Sequence, residues 1–322
     1  MEPTFPLFRL PENVIIKVIK NLSIDPLFEF SLISTKTKNV AASLGTTAHA
    51  VRITIFRDVD VSVYFGSCIM GLTFYSNSVD ALIHLDSNQP ISAHSVNVNR
   101  LVRSSTPFSF NNWLDHIQSV FCCNKPPNVI FWHGNERFEM ESLKNVIKSV
   151  DHLVVFEHNT VFRIREILKY FKNPNELTLE RNPYEEACEV QKFFIQNYNN
   201  LVFRDDVSLD DILLVNSERV ELSRPISQKQ FNRFLKHWIH GSNPRLQYMN
   251  LFIDTTDLIR ENVYLKGIEC LEISEESMKE IRQNHGIDDN DMVQIKRNEG
   301  TAAVIAMKDC ETFLYVRFYV LY

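Results

Sequence analysis

Apolar residues near the start of the chain are spaced as in a short and strongly apolar helix. The stretch LPENVIIKVIKNL places Pro11 in a first helical turn, where no backbone donor is needed. Lys17 and Lys20 give this helix its main polar side, against the apolar residues Val14, Ile15, Ile16, Val18, Ile19 and Leu22. A helix that is apolar on nearly every side has to be buried. The pattern therefore predicts a contact with a larger surface.

Two more short helices are predicted after the first. Asp25 is expected to cap the second helix and Pro26 to begin it, while a third helix runs from Thr37 to Leu44 and stops at Gly45. Three short helices in fewer than forty residues cannot build a stable core by themselves. Their apolar surface must contact the rest of this chain or another protein.

Between residues 48 and 110 the spacing changes to the two-residue alternation of strands. The stretch AVRITIFRDVDVSVYF predicts two strands on either side of Arg57-Asp58, with Val51, Ile53 and Ile55 on one face. The stretch ISAHSVNVNRLV predicts further short strands in the same way. How these strands pair stays open at this point.

An internal repeat occupies the middle of the chain. Apolar strand patterns recur at intervals of 24 residues and begin at Val129, Leu153, Leu177 and Leu201. Helical patterns lie between them, and a strand plus a helix every 20–29 residues is typical of leucine-rich repeats. The stretch LTLERN, from Leu177 to Asn182, has the LxLxxN core of that motif, whereas the other repeats lack the asparagine. The repeat would therefore be irregular.

The repeat is predicted to continue loosely toward the carboxyl end. Later strand patterns begin at Val220, Leu246 and Ile268. The amphipathic helix QKQFNRFLKHWI lies between the first two of these, and its expected inward residues are Phe231, Phe234, Leu235, Trp238 and Ile239. From Met292 the chain alternates, turns at Glu299-Gly300 and ends in FLYVRFYVLY. The predicted fold class is α/β: a short N-terminal helical module, then an irregular leucine-rich-repeat-like solenoid capped by a small antiparallel sheet.

Composition and charge narrow the class of protein. A hydrophobic fraction of 44% allows a sizeable core, and a net charge of −6 favours neither nucleic acid nor an acidic membrane as a partner. The last apolar stretch is too short to span a bilayer and contains Arg317. No secretory leader pattern is present, and the cysteines form no CxxC, so free and mostly buried thiols are expected. We expect an intracellular protein, cytoplasmic, nuclear or both.

Candidate catalytic and metal-binding patterns all lack a necessary part. Gly66 and Gly71 have phosphate-loop spacing, but Leu72 stands where the loop needs lysine. His237 and His240 lack a third metal ligand, and nothing around Cys122-Cys123 and His133 identifies an activated thiol. The acidic pairs are expected to be solvated or to favour a helix start: Asp205-Asp206, Asp210-Asp211 and Asp288-Asp289. No catalytic residue, cofactor or metal is predicted.

The N-terminal helices resemble a known module. Leu10-Pro11, Val14-Ile15, Asp25-Pro26 and the run from Phe30 to Ser34 resemble the F-box, which docks on the Skp-type adaptor of cullin ubiquitin ligases. Thr37 stands where the module usually has tryptophan. The resemblance implies that the adaptor-binding residues are Leu10, Pro11, Val14, Ile15, Ile19, Leu22, Pro26, Leu27 and Leu32.

Residues 205–300 resemble the F-box-associated domain of nematode F-box proteins. The stretches that carry this resemblance are SLDDILLVNSERVELS, FLKHWIHGSNPRLQYMNL and VQIKRNEGTAAVIAM. The predicted domains are an F-box at 7–46, a β-rich connecting region with the start of the solenoid at 48–127, a repeat-like F-box-associated domain at 128–290 and a β cap at 291–322.

The two resemblances together imply a non-catalytic function. The chain would be a substrate-recruiting subunit of a cullin-type (SCF) ubiquitin ligase. It would bind the Skp-type adaptor, and through it a cullin, with the F-box, and an unidentified protein substrate with the repeat domain. The alternative is a repeat-type protein-interaction protein without a ubiquitin role, in which the N-terminal helices only cap the solenoid. Thr37 favours this alternative slightly.

Overall fold

The computed structural model describes residues 7–76, 82–255, 263–285, 291–310 and 312–321. The chain divides into two compact units, one of residues 1–159 with 163–172 and the other of residues 160–162 with 173–322. Both units are mixed α/β, and helices occupy the N-terminal end, as the sequence predicts.

The first unit begins with helices, continues with strands and then alternates between the two. Its helices are α1 (Glu12–Ile19), α2 (Ile24–Ser31), α3 (Thr35–Ser43), α4 (Phe110–Phe121), α5 (Met140–Val146) and most of α6 (Val161–Tyr170). Its strands are β1 (Ala50–Ile55), β2 (Val59–Phe65), β3 (Cys68–Phe74), β4 (Ala93–Ser95), β5 (Arg100–Val102), β6 (Asn128–Phe131) and β7 (His152–Val155).

Strand β1 lies between the antiparallel part and the parallel part of the sheet in the first unit. On one side, β1 to β5 follow one another antiparallel, in the order of the chain. On the other side, β6 pairs parallel with β1, and β7 pairs parallel with β6. Val51, Ile53 and Ile55 are buried together, so the two strands predicted around Arg57-Asp58 are confirmed. The pairing that the sequence left open is the antiparallel series.

The second unit alternates short strands and helices before it ends in longer strands. Its helices are α7 (Ala187–Phe194), α8 (Leu209–Leu213), α9 (Gln228–Ile239) and α10 (Glu275–His285). Its strands are β8 (Glu176–Leu179), β9 (Asn200–Phe203), β10 (Arg219–Leu222), β11 (Tyr248–Asp254), β12 (Asp291–Lys296), β13 (Ala302–Asp309) and β14 (Phe313–Leu321). Strands β8 to β11 are parallel, whereas β14, β13 and β12 extend the sheet antiparallel from β11.

The 24-residue interval in the sequence equals the register of neighbouring strands. Val129 pairs with Leu153 between β6 and β7, and Leu177 pairs with Leu201 between β8 and β9. All four side chains are buried. A side chain therefore reappears at the same height one strand further along the sheet. The small antiparallel sheet predicted at the carboxyl end is also present.

Several details of the predicted repeat are wrong. Ile268 does not begin a repeat strand, because the pairing found near it among the described residues is an isolated antiparallel bridge between Leu271 and Gln294. Alternation from the buried Leu177 and Leu179 predicts Thr178 and Glu180 on the exposed side of the sheet. Thr178 is instead buried beside its cross-strand neighbour Val202. Glu180, expected there too, is half-buried and forms an ion pair with Arg204, with 3.3 Å between nitrogen and oxygen.

Among the described helices, four begin with a capping box, in which a serine and the residue three positions later satisfy each other's backbone N–H groups. The pairs are Ser34/Thr37 for α3, Ser109/Asn112 for α4, Ser208/Asp211 for α8 and Ser227/Gln230 for α9. The expectation that Asp210-Asp211 lies in a first helical turn is confirmed. Asp25 was expected to cap α2, but Ser23 is the N-cap, and Asp25 lies in the first turn.

A buried polar network crosses two successive repeats of the first unit. The Asn135 amide donates to the Trp132 carbonyl and to Asn159 Oδ1, and the Asn159 amide donates to the Phe131 carbonyl at 3.0 Å. Arg163 donates to Asn135 Oδ1 at 2.7 Å. Asn135 and Asn159 are 24 residues apart and both are fully buried. The network therefore satisfies polar groups inside the turns after β6 and β7.

Candidate partner-binding surface

The N-terminal helices dock on their own chain through α2. The Phe28 ring is fully buried and lies 6.4 Å from Trp113, 5.7 Å from His116 and 5.9 Å from Phe121, between ring centroids. The three partners all belong to α4, and aromatic pairs at such distances add to the stabilisation from burial. The apolar surplus predicted from the sequence is therefore covered in part by α4.

Polar contacts fix the same docking. The hydroxyl of Ser31 donates to the Phe28 carbonyl at 2.6 Å and lies 2.8 Å from His116 Nε2. Burial of His116, with a smaller contribution from the charge of Lys38, lowers the pKa of the imidazole from 6.5 to about 4. A neutral imidazole is therefore part of this contact near pH 7.

Two ionic or charge-assisted contacts lie at the edge of α2. Arg100 Nη2 contacts both Glu29 oxygens at 2.5–2.6 Å, and the Asn97 amide donates to the Asp25 carboxylate at 3.0 Å. The Ser105 backbone N–H donates to the Leu32 carbonyl at 3.1 Å. These contacts hold α2 against the β4–β5 hairpin and the segment after it. The N-terminal helices are thus attached on several sides within the first unit.

The structure divides the nine predicted adaptor-binding residues into three groups. The residues buried within this chain are Ile15, Ile19, Leu27 and Leu32. Leu10 and Val14 are half-buried, and the exposed residues are Pro11, Leu22 and Pro26. The buried group shapes the helical module, whereas the exposed group is free to contact a partner. Their role in adaptor binding stays a prediction.

Large apolar side chains remain exposed on the N-terminal helices. We call four of them the exposed apolar set: Phe8 (40% exposed), Val18 (46%), Leu22 (37%) and Ile33 (60%). The Phe8 ring stacks 6.4 Å from Phe30, and Lys36 Nζ lies 4.5 Å from the Phe8 centroid. Sequence reasoning assigned only Leu22 of this set to the site. The signal for Val18 was its place in a helix that is apolar on nearly every side, of which only one face can pack on the rest of its own chain.

Thr37 has a structural role at the start of α3. The Thr37 side chain is fully buried, accepts from the Ser34 backbone N–H at 2.9 Å and donates to the Ser34 carbonyl at 2.7 Å. Its own N–H donates to the Ser34 hydroxyl at 3.2 Å. The residue in the tryptophan position therefore caps a helix and contributes no large apolar surface.

The residues considered for chemistry do not converge. Among the described residues, no group of three or more His, Cys, Asp or Glu side chains could hold a metal ion. His237 and His240 are exposed. Asp205 accepts from the backbone N–H groups of Asn182 and Asp206, each at 2.9 Å, as a loop carboxylate does. Asp288-Asp289 lies outside the described residues.

The expectation of mostly buried thiols is wrong, because none of the six cysteines is buried. Cys123 and Cys310 are half-buried, and the exposed ones are Cys68, Cys122, Cys188 and Cys270. Cys68 begins β3 directly after a hairpin turn, and Cys122 ends α4 with a φ of 46°. Positions in turns leave these side chains in solvent. Across the part of the chain that the structure describes, no helix has the length and apolar character of a membrane span.

Comparison with known proteins agrees with the resemblances in the sequence. Residues 7–48 match the family model of the F-box domain, and residues 189–251 match the model described as F-box associated. The F-box associated domain-containing protein sdz-33 of Caenorhabditis elegans is 23% identical over 272 residues, which cover 83% of this chain and 86% of the relative. No solved structure matches the chain.

The matched regions lie on different units. The F-box match covers α1 to α3 in the first unit, and the F-box-associated match covers α7 to most of β11 in the second. F-box domains in general bind Skp1 within SCF ubiquitin-ligase complexes, as adaptor-type modules that are typically non-catalytic. The chain therefore carries an F-box followed by an F-box-associated region, in the order that its sequence predicts.

Proposed function

We propose that this chain is the substrate-recruiting subunit of an SCF ubiquitin ligase. The F-box binds a Skp-type adaptor and through it a cullin, and the F-box-associated region binds a protein substrate. The chain contributes no catalytic residue. Its effect on the reaction is proximity, since a bound substrate lysine meets the ubiquitin-charged enzyme of the complex at a raised effective concentration.

The exposed apolar set is the observation that carries this proposal. An isolated exposed apolar residue is ordinary on a protein surface, whereas several on one small helical module favour an interaction site. Val14 and Val18 are four residues apart on α1, beside the buried stripe of Ile15 and Ile19. We propose that the adaptor covers Val14, Val18 and the exposed apolar residues around them, including Pro11, Leu22 and Pro26.

The test is adaptor binding by variants that differ in where the charge is placed. Val18→Asp should weaken binding by about tenfold or more, because the complex would bury an unpaired carboxylate. The melting temperature should stay close to that of the wild type, since Val18 is exposed. Ile195→Asp is the matched control, because Ile195 is an equally exposed apolar residue (47%) in the second unit. It should keep full adaptor binding.

Ile15→Asp is less informative than Val18→Asp, because Ile15 is buried in the chain itself. A carboxylate at that position destabilises the helical module, so weaker binding would follow from unfolding alone. Full adaptor binding by Val18→Asp would contradict the proposal. It would favour the alternative function, a protein-interaction protein whose N-terminal helices only cap the chain, which the docking of Phe28 on α4 also supports.

We further propose that the strands spaced by 24 residues are irregular leucine-rich-repeat-type units. The register of β6 with β7 and of β8 with β9 supports this architecture, as does the asparagine pair Asn135 and Asn159 after successive strands. We also propose the domain limits 7–46, 48–127, 128–290 and 291–322, the first from the F-box resemblance and the others from the changes between strand and helix patterns. Limited proteolysis of the full chain tests these limits, because cleavage should concentrate at their boundaries.

A further inference from the structure

Helix α9 (Gln228–Ile239) separates its side chains into a buried apolar face and a cationic outer face. Phe231, Phe234, Leu235 and Trp238 are buried. The opposite side carries five exposed residues, which we call the basic stripe: Lys229, Arg233, Lys236, His237 and, at the C-cap, His240. Their spacing of mainly three and four residues places them along one side of the helix.

Among the described residues, the lysines and the arginine of the basic stripe have no carboxylate partner. Helix α9 contains no acidic residue. Within the described part of the chain, Lys229, Arg233 and Lys236 form no ion pair, whereas other arginines of this unit do, such as Arg245 with Glu218 at 2.9 Å. The whole chain has 40 acidic residues against 34 lysines and arginines. A stripe with three cations that form no ion pair among the described residues therefore differs from the average surface of this protein.

Helix stability explains only part of the basic stripe, because Lys236 and His237 lie in the last turn, where the helix dipole favours a cation. Lys229 lies in the first turn, near the positive end of the helix dipole, where a cation is unfavourable. Lys229 and Arg233 are four residues apart, and like charges at this spacing repel. The start of the helix is already stabilised by the Ser227/Gln230 capping box. Lys229 and Arg233 therefore gain nothing from the helix itself, and a role outside the helix accounts for them better.

We propose that the basic stripe binds an acidic segment of the substrate protein. This inference rests on the proposed function and names the chemistry of the substrate. The stripe from Lys229 to His240 is about 16 Å long at the helical rise per residue. An extended peptide covers that length with about five residues. Carboxylates along such a segment lie opposite the lysine and arginine side chains, and the pairs supply both attraction and register.

A protein segment fits the basic stripe better than a nucleic acid or a membrane. Among the described residues of α9, no large apolar side chain is exposed to stack on bases or to enter a bilayer. The net charge of −6 also repels a long polyanion, which would extend beyond the stripe over acidic surface. A short acidic segment contacts the stripe without extending over the acidic surface around it.

The experiment uses the full chain and a fluorescent peptide with about five consecutive glutamates, the number that matches the stripe. Binding is measured by anisotropy, with the glutamine version of the peptide for comparison. The glutamate peptide should bind and the glutamine peptide should not. Raising the salt from about 0.05 M to about 0.5 M should weaken binding, because screening shortens the range of the attraction. The triple variant K229E/R233E/K236E should lower the affinity by about tenfold or more.

The matched control is K125E/K148E/K172E, which makes the same change in net charge on exposed lysines of the first unit. It should bind the glutamate peptide within about twofold of the wild type, because its positions lie outside the stripe. Melting curves of both triple variants verify that the chain is folded.

Three results would overturn the inference. The first is no binding of the glutamate peptide by the wild type at low salt, and the second is an equal loss in the control variant, which would indicate an effect of net charge. The third is tighter binding of single-stranded RNA or of phosphatidylserine vesicles that the stripe variant abolishes. Adaptor binding is measured separately on the same variants. If the chain did not bind the adaptor, the proposed function would be contradicted, but the peptide measurement would still show whether the stripe binds an acidic segment.

Discussion

At the scale of single residues, His116 shows how one buried side chain depends on the docking of the F-box helices. The imidazole lies against Phe28 and Phe108, accepts or donates a hydrogen bond with Ser31, and is almost inaccessible to water. Protonation would place a charge in this apolar contact, near the cation of Lys38. Protonation of His116 therefore weakens the contact between α2 and α4.

We expect the stability of the chain to fall on acidification through His116. Because burial lowers the folded pKa to about 4, below the ordinary value of 6.5, the unfolded state binds the proton more readily between these values. The stabilisation is complete above 6.5 and is lost as the pH falls toward 4. Between about pH 7 and pH 5, urea unfolding should show a loss of about 2 kcal/mol.

His116→Gln should remove most of that pH dependence, since the amide can still bond to Ser31 and does not titrate in this range. His237→Gln is the control, because His237 is exposed and should leave the dependence unchanged. A wild-type stability that is flat from pH 7 to pH 5 would show that His116 is not held neutral by burial.

At the scale of elements, the parallel part of the sheet consists of short strands, and β8 and β9 each bury a pair of side chains. Leu177 and Leu179 in β8 are both buried, and so are their partners Leu201 and Phe203 in β9. The four side chains repeat at the same heights in the two strands. A substitution in one strand therefore affects the packing of both.

Leu179→Ala should lower the free energy of unfolding by about 2–5 kcal/mol, the range for large apolar residues truncated in a core. Leu179 is fully buried, so the lost methyl groups leave a cavity. Arg181 is exposed and lies two residues later, so Arg181→Ala should change the free energy of unfolding by no more than about 0.5 kcal/mol. Denaturant unfolding of the two variants makes the comparison. Equal small effects would argue against a packed core around β8.

The sequence predicts these elements well where a local period determines them. The alternation in β1 and β2 follows from strand geometry, and the 24-residue interval equals the register of neighbouring strands. Thr178 was misplaced, because its burial depends on Val202 in the next strand and not on its own alternation. The asparagine network was missed, because Asn135 and Asn159 follow their strands without the LxLxxN spacing.

The candidate site was predicted less completely than the fold. The family resemblance identified the F-box helices, but it could not divide their apolar residues between α4 and a partner. That division depends on long-range contacts such as Phe28 with Trp113, 85 residues apart in sequence. Ile33 and Val18 became candidates only when their exposure was known.

At the scale of the whole molecule, the F-box is part of the first unit. Leu27, Phe28 and Leu32 are buried, and Phe28, Ser31 and Leu32 contact α4 or the segment just before it. The connection from α3 to β1 is short, and the Ala48 N–H donates to the Phe121 carbonyl at 3.0 Å. The module therefore lacks the contacts it needs when it is separated from the chain.

A fragment of residues 1–46 should accordingly be largely unfolded alone and become helical with the adaptor. Far-ultraviolet circular dichroism of the fragment, with and without adaptor, measures this, and the full chain provides the folded reference. A fragment of this size is too small to have a sufficient core of its own. It also lacks the contact with α4 that covers Phe28 in the full chain. A cooperative melting transition of the fragment without a partner would contradict this prediction.

The position of β1 also has a consequence during synthesis of the chain on the ribosome. One edge of β1 pairs with β2, which follows it immediately in the chain. The other edge pairs with β6, where Asn128, the partner of Arg52, is synthesised 76 residues later. At about 5–20 residues per second, that edge stays open for about 4–15 s. An open edge is a template for pairing with other nascent chains. We therefore expect β1 to be the segment that chaperones protect while this protein is being translated.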